Sequence, residues 1–258
     1  IRSHAAGMGD ALSPDISRGV LIARLRSLLG NRSGVSGNLV RHIVGVLNAG
    51  IAPFIPRKGG VGASGDLVQL AHAALLIIGE GFCWYEGEVS DTRVILQKLD
   101  LRPYELRFRD GLALVNGTSG MVAVGAKACW DAARLFKLAI LMSAMIADII
   151  DANKDAYSEE LNSSKRNLQQ NLVADAIRSH LGQPRNKQAA TLLQAPYSIR
   201  SAPQIIGPML EAQSYAERII VDELNSVSDN PIFDPASGKA FHGGNFHGEA
   251  AAQAIDFL

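Results

Sequence analysis

The sequence has only two cysteines, and this scarcity argues against small, cross-linked classes of protein. Cys83 and Cys129 lie far apart, and neither belongs to a Cys-x-x-Cys pair. Neither a disulfide framework nor a zinc cluster is therefore expected as the basis of the fold. The pattern is typical of a protein from a reducing compartment, and we predict a cytoplasmic protein without a metal site.

The sequence also lacks an excess of either charge. It contains 25 Lys and Arg residues against 25 Asp and Glu residues, with no run of like charges. This balance gives no support to binding of nucleic acid or of an anionic membrane, and it suits a small zwitterionic ligand. The longest uncharged run, Gly111–Ala126, is shorter than a membrane span and contains Asn116 and several glycines, so no membrane segment is predicted.

Aromatic residues are few, at 6%, but hydrophobic residues of all kinds make up 47% of the 258 residues, which is typical of a soluble globule with one large domain or two modest ones. Apolar residues recur mostly at helical spacing. Helices are predicted over residues 13–30, 36–50, 66–78, 90–99, 118–150 and 208–226. We therefore predict an all-α fold, with a small β-hairpin near residues 80–90 as its only β element.

The stretch Gly59–Asp66 contains four glycines, the last of which belongs to an Ala-Ser-Gly triplet. Gly60, Gly62 and Gly65 match the dinucleotide-binding spacing, in which a backbone approaches a pyrophosphate at a helix N-terminus. That function needs a strand before the glycines, and the prolines of Ile51–Lys58 disfavour one. A flexible turn before a helix fits the residues equally well.

A longer motif includes the same glycines. Gly62–Leu67 is followed by Leu70-Ala71-His72, and together they resemble the signature of the aromatic amino acid ammonia-lyases and aminomutases. The resemblance implies that Ala63, Ser64 and Gly65 form a methylidene-imidazolone ring (MIO) autocatalytically, with the Gly65 amide nitrogen attacking the Ala63 carbonyl and two waters lost. Small residues permit this closure, and glycine has the freest backbone. Neither a metal nor a nucleotide is implied as cofactor.

Three further blocks extend the resemblance over most of the chain, in the order of the family. They are Leu106–Met121, Leu193–Gln204 and Phe241–Gly248. The resemblance implies an all-α bundle of long helices of the ammonia-lyase type, forming a single, mostly helical domain over residues 1–258. It also implies a homotetramer with active sites shared between subunits.

The resemblance assigns roles to single residues of these blocks. Asn116 and Phe246 would contact the ring and the substrate, Gln194 would position the substrate, Arg200 would hold its carboxylate, and Tyr197 would transfer protons. The residues alone leave other interpretations open. Asn116 is a possible helix cap or turn residue, and Tyr197 and Arg200, three residues apart on one helical face, are also typical of a solvated surface.

Two other pairs of residues have a mainly structural interpretation. Asp229 and Asn230 are expected to be turn and cap residues first and site residues second. His242 and His247 are expected to be hydrogen-bonded structural residues.

The substrate is predicted less sharply than the family. Ser3-His4 would place His4 against the substrate ring, and this pair resembles both histidine lyases and tyrosine aminomutases. Asn116–Met121 and Phe241–Gly248 are closer to the tyrosine branch. We expect elimination of ammonia from an L-aromatic amino acid, of tyrosine type ahead of histidine, to give an α,β-unsaturated acid. The alternatives are a tyrosine 2,3-aminomutase, which gives a β-amino acid, and a catalytically inactive helical fragment or paralogue.

The family's enzymes are considerably longer than this chain. The resemblance therefore implies a fragment that carries the ring but lacks an N-terminal loop with a tyrosine base and a C-terminal half with a further glutamate or its equivalent. We expect the fragment alone to be inactive.

Overall fold

The computed structural model describes residues 1–61, 65–182 and 193–258. These residues group into two compact units. Unit 1 comprises Ile1–Lys127 and Arg218–Asp256, and unit 2 comprises Ala128–Glu217 and Phe257–Leu258. Helices predominate in both, which confirms the predicted all-α class, whereas the single domain over residues 1–258 stays a prediction.

Unit 1 is built mainly from helices, most of which follow the predicted spans, whereas those at residues 110–115 and 249–257 lie outside these spans. The helices are α1 (Pro14–Leu28), α2 (Gly37–Asn48), α3 (Leu67–Ile77), α4 (Thr92–Lys98), α5 (Asp110–Val115), the start of α6 (Ser119–Ile149), the end of α10 (Ala202–Leu224) and most of α11 (Glu249–Phe257). The apolar faces of α1 to α5 and the start of α6 form one core, in which Leu21, Leu39, Ile43, Leu70 and Ile77 are almost fully buried. This burial is the main stabilising contribution to the unit.

Local hydrogen bonds explain where several of these helices begin. Ser36 Oγ accepts from the backbone N–H of Leu39 at 3.2 Å and caps α2. Asp91 Oδ1 accepts from the N–H groups of Arg93 and Val94 and caps α4. Each cap satisfies N–H groups that have no partner within the helix.

The strands are short and antiparallel. β1 (Met8–Ala11) pairs with β3 (Pro56–Lys58), β2 (Ala52–Pro53), β4 (Phe82–Tyr85) and β5 (Glu88–Asp91) form one sheet in the order β2-β4-β5, and β6 (Ile232–Asp234) pairs with β7 (Lys239–Phe241). The predicted hairpin near residues 80–90 is confirmed as β4 and β5. The prediction that it is the only β element is wrong, since β1–β3, β2–β4 and β6–β7 also pair. These pairings were missed because they join short segments without a clear alternating pattern.

Unit 2 contains the rest of α6 and most of α10, with a 3₁₀ turn at Lys154–Tyr157, α7 (Glu159–Ser163), α8 (Leu168–His180) and the short α9 (Tyr197–Arg200). Its core includes Tyr157, Val173, Ile177 and Ile206. The Tyr157 hydroxyl donates to the Ile199 carbonyl oxygen at 2.8 Å, so the buried phenol has a partner.

One face of α6 is apolar but exposed. Leu135, Leu138, Met142, Met145 and Ile149 are each more than half exposed, and they recur at alternating intervals of three and four residues. The helix predicted over residues 118–150 is present, but in the single chain this face of it is not buried. Such a spacing is the seam of a helix that packs against further helices.

Candidate active site

Gly65 is the one residue of the Ala-Ser-Gly triplet that the structure describes. Ala63 and Ser64, which were predicted to be catalytic with it, lie outside the described residues. Gly65 is buried and has φ +89°, and a Cβ built on it would lie 2.9 Å from the Gly117 carbonyl oxygen and 3.3 Å from that of Phe246. The position therefore requires glycine on both conformational and steric grounds. It also brings together the first, second and fourth sequence blocks.

Asp66 fixes the chain just after the triplet. Its N–H donates to the Gly117 carbonyl oxygen at 3.0 Å, and its Oδ2 accepts from the N–H of Met121 at 2.8 Å, in the first turn of α6. Burial raises the pKa of this carboxyl to about 6, although hydrogen bonds from Met121 and Gly120 lower it. Asp66 thus links the start of α3 to the start of α6.

Asn116 lies at the C-terminus of α5, next to Gly117. Its Nδ2 donates to Asp229 Oδ1 at 2.8 Å and to the Asn230 carbonyl oxygen at 3.1 Å, and its own carbonyl oxygen accepts from Arg24. The side chain is therefore tied to the 229–230 turn by both of its N–H groups.

Asp229 is fully buried and is held by a second partner. Arg109 donates to Asp229 through both terminal nitrogens, at 2.7 and 2.9 Å, and also to the carbonyl oxygens of Ser33 and Asn230. A bidentate guanidinium–carboxylate pair of this kind is strong and fixes geometry. The turn role predicted for Asp229 stays a prediction, and the structure gives its carboxylate an ion pair with Arg109 and a hydrogen bond from Asn116.

Arg24 supports the same region from α1. It is 1% exposed, donates from Nη1 to the carbonyl oxygens of Asn116 and Ser228, and donates from Nη2 to Ser27 Oγ at 3.0 Å. Burial lowers the pKa of this guanidinium to about 10. Sequence reasoning missed Arg24 and Arg109. The available signal for Arg24 was a charged residue on the helical face of the core residues Val20, Leu21 and Leu28.

Phe246 is partly buried, and its backbone carbonyl abuts Gly65. The Asn230 side chain binds the block Phe241–Gly248 as well, because its Oδ1 accepts a hydrogen bond from the Gly243 N–H at 2.8 Å. His242 and His247 are both exposed, and His247 Nδ1 accepts from the Glu249 N–H at 3.3 Å near the start of α11. The structure thus gives His247 a local hydrogen bond.

Gln194, Tyr197 and Arg200 lie together in unit 2. All three line one open cleft of about 710 Å³. The Arg200 guanidinium lies over the Tyr197 ring, 5.1 Å from its centroid, as expected for residues three apart on a helical turn. Acidic Asp155 and Glu160 also line the cleft.

His4 lies in the 3₁₀ turn Arg2–His4 of unit 1 and is exposed. Its Nδ1 is 3.0 Å from Ser3 Oγ, a hydrogen-bond distance. Within the described ranges, no hydrogen bond joins His4 to Gly65, Asn116 or Phe246. Its role stays a prediction.

Residues 1–61, 65–182 and 193–258 contain neither a metal-binding cluster nor a membrane-spanning helix. Within those residues, no group of three or more His, Cys, Asp or Glu side chains is arranged to hold a metal ion. None of the helices there is both long and apolar enough to span a membrane.

The fold is that of a known class of enzyme. The profile of the family described as aromatic amino acid lyase matches residues 1–258, so the chain belongs to the aromatic amino acid lyase family. This confirms the predicted family, and the relatives named below are ammonia-lyases and aminomutases.

Named relatives fall on both sides of the lyase–aminomutase division. The chain is 37% identical over 279 residues to tyrosine 2,3-aminomutase of Chondromyces crocatus, covering 100% of this chain and 52% of that one. It is 38% identical over 260 residues to histidine ammonia-lyase of Streptococcus gordonii, covering 100% and 50%. The crystal structure of histidine ammonia-lyase from Trypanosoma cruzi superposes with a TM-score of 0.90 at 34% identity, covering 100% of this chain and 48% of that one. The chain thus spans about half the length of these relatives.

Proposed function

We propose that this chain is the ring-bearing part of an MIO-dependent ammonia-lyase that eliminates ammonia from an L-aromatic amino acid to give an α,β-unsaturated acid. The observation that carries the proposal is the backbone at Gly65. Only glycine fits there, and glycine supplies the unhindered amide that ring closure with Ala63 and Ser64 requires.

The residues around Gly65 fit such a ring. Gly117 and Phe246 approach Gly65 with backbone carbonyls, and Asp66 anchors the chain after it. Asn116 and Phe246 are the residues that would contact the ring. When formed, the ring supplies an electrophilic carbon for the substrate amine.

The residues of the unit 2 cleft suit recognition of an amino acid. Arg200 would bind the substrate carboxylate bidentately, and its stacking on Tyr197 holds the guanidinium in place. The Tyr197 hydroxyl would transfer a proton, and Gln194 would position the substrate. The residues around Gly65 and those of the unit 2 cleft would each contribute to an active site that other subunits complete.

We also propose that the chain forms a homotetramer, because one apolar face of α6 is exposed in the single chain. The exposed apolar seam of α6 from Leu135 to Ile149 needs cover by further helices. A second copy of the chain would supply helices of matching length and spacing.

The substrate is proposed to be of tyrosine type ahead of histidine, with His4 against the substrate ring. A tyrosine 2,3-aminomutase is the second candidate, favoured by the similarity to the Chondromyces crocatus enzyme of that name. A mutase would return the amine to the neighbouring carbon and release a β-amino acid.

Two measurements test the proposal in order. The intact mass should be two waters below the sequence mass, with the loss localised to the peptide containing Ala63 to Gly65. The complete enzyme, of the length of the relatives, should then release ammonia from L-tyrosine or L-histidine, and product analysis separates the unsaturated acid from a β-amino acid. An enzyme that carries the ring but converts neither amino acid would overturn the proposal.

A further inference from the structure

The Asn116 side-chain amide has a fixed orientation. Both of its neighbours in the 229–230 turn are acceptors, namely the Asp229 carboxylate at 2.8 Å and the Asn230 carbonyl oxygen at 3.1 Å. A carboxylate paired with a guanidinium and a peptide carbonyl can only accept hydrogen bonds, so the amide nitrogen must face them. Because both partners are acceptors, the positions of the amide nitrogen and oxygen of Asn116 are determined by the hydrogen bonds.

This orientation leaves only one kind of contact available to a ligand. A primary amide has two N–H donors and one carbonyl acceptor, and here both donors are used. Among the described residues, Asn116 Oδ1 accepts no hydrogen bond, and the residue is partly exposed. Asn116 can therefore recognise a hydrogen-bond donor.

The Asp229 carboxylate is itself tightly held. Its Oδ1 accepts from Asn116, from the Asn230 N–H at 2.7 Å and from Arg109 at 2.9 Å, and its Oδ2 accepts from Arg109 at 2.7 Å. Asp229 is fully buried. Several fixed donors thus prevent this carboxylate from rotating away from Asn116.

We propose that Asp229 is a positioning residue that holds Asn116 with its carbonyl oxygen toward the ligand, so that Asn116 accepts a hydrogen bond from the substrate amine. The inference rests on the proposed function. It assigns Asn116 an acceptor role toward the amine and not a donor role toward a carboxylate or a ring oxygen.

Two substitutions at Asp229 separate positioning from general structure. Asp229→Ala removes the acceptor that faces Asn116. Asp229→Asn removes the same charge but keeps a carbonyl oxygen. This oxygen is best placed at the position of Oδ1, where it accepts from Asn116, Arg109 and the Asn230 N–H. Both variants weaken the Arg109 pair, and only the alanine variant releases the Asn116 amide.

The test compares an amine-bearing ligand with its deaminated product in the complete enzyme. The kcat/KM for L-tyrosine is measured together with the calorimetric Kd of 4-hydroxycinnamate, and L-histidine with urocanate is the parallel pair. For Asp229→Ala we expect kcat/KM to fall about tenfold or more, while the Kd of the deaminated acid changes less than about twofold and the intact mass remains two waters low. Asp229→Asn should stay within about threefold of the parent in all readouts.

Three outcomes would overturn the inference. Equal weakening of both ligands in Asp229→Ala would indicate a structural role only, and an equal loss of kcat/KM in both variants would indicate that the charge matters and not the amide orientation. A parent enzyme that acts on neither amino acid and binds neither acid would overturn the proposed function and the inference with it. If Asp229→Ala does not fold, the double variant Arg109→Met with Asp229→Leu replaces it. It removes both charges together, so that no unpaired charge remains buried. It should show the same selective loss for the amine-bearing ligand.

Discussion

The Asp66 carboxylate accepts a hydrogen bond from the backbone N–H of Met121 at 2.8 Å, so the residue that follows the Ala-Ser-Gly triplet caps the long helix α6. Two opposed effects meet at this contact. The helix N-terminus favours the ionised form of the carboxyl, whereas burial favours the protonated form and raises its pKa to about 6. Burial dominates, and the contact is therefore sensitive to pH.

Stability should fall as the pH rises through the Asp66 titration. The folded-state pKa of about 6 exceeds the ordinary value of 3.8, so between these values the folded chain binds more protons than the unfolded chain, and ionisation destabilises it. Each pKa unit corresponds to about 1.4 kcal/mol. We expect Asp66→Asn to match the parent at pH 4 and to exceed its free energy of unfolding at pH 7 by up to about 3 kcal/mol, measured by urea unfolding.

Asp234→Asn is the control for this experiment. Asp234 is only partly buried, and hydrogen bonds from Ser237 hold the pKa of its carboxyl below the ordinary value. Its contribution to stability is therefore present at neutral pH and lost as the pH falls, which is the opposite sign. Equal responses of the two variants would contradict the burial of Asp66 as the cause.

A methyl group at Gly65 should block both local packing and ring formation. Gly65→Ala places an L-residue at φ +89° with its Cβ 2.9 Å from the Gly117 carbonyl oxygen. The backbone conformation alone costs about 1–2 kcal/mol, and the collision adds to it. We expect a lower melting temperature and an intact mass without the loss of two waters.

Gly87→Ala separates the two causes. Gly87 has φ +85°, close to that of Gly65, but a Cβ there meets nothing within 4 Å. This variant should show the conformational cost alone and keep the loss of two waters. Ring loss in Gly87→Ala, or ring formation in Gly65→Ala, would contradict the steric argument.

The helices were predictable from sequence because their signals are local. The core face of α2 follows the 3.6-residue period, and Ser36 marks its start through its own side chain. The β4–β5 hairpin was also predicted, from a stretch that combines Gly81 and Gly87 with Trp84 and Tyr85. Such features depend on residues a few positions apart, so one sequence suffices to find them.

The network around Asn116 could not be predicted in the same way. Asp229 meets Arg109 and Asn116 across more than 110 residues of chain, and no periodicity relates residues so far apart. The β1–β3 pairing was missed for the same reason, since its strands also lie far apart in the sequence. In addition, the proline of β3 argued against a strand. The family blocks located Asn116 and Phe246, but the side chains that orient them are visible only in three dimensions.

Removal of the Arg24 guanidinium should destabilise unit 1 strongly. Arg24→Met leaves the carbonyl oxygens of Asn116 and Ser228 without this donor in a buried region. We expect a loss of about 3–5 kcal/mol in the free energy of unfolding, measured by denaturant titration. Arg26→Met is the matched control, since Arg26 is exposed two residues along the same helix, and it should change stability by less than about 0.5 kcal/mol.

The shape of the Arg200 guanidinium, and not only its charge, should determine substrate affinity in the complete enzyme. Arg200 lines the cleft with Tyr197 and stacks on its ring, and lysine keeps the charge but loses both the planar fork and the stacking. We expect Arg200→Lys to raise the KM for L-tyrosine about tenfold or more and to weaken 4-hydroxycinnamate similarly, because both ligands carry the carboxylate. Arg41→Lys, on the exposed face of α2, should leave both constants unchanged. An unaltered KM in Arg200→Lys would remove Arg200 from carboxylate recognition.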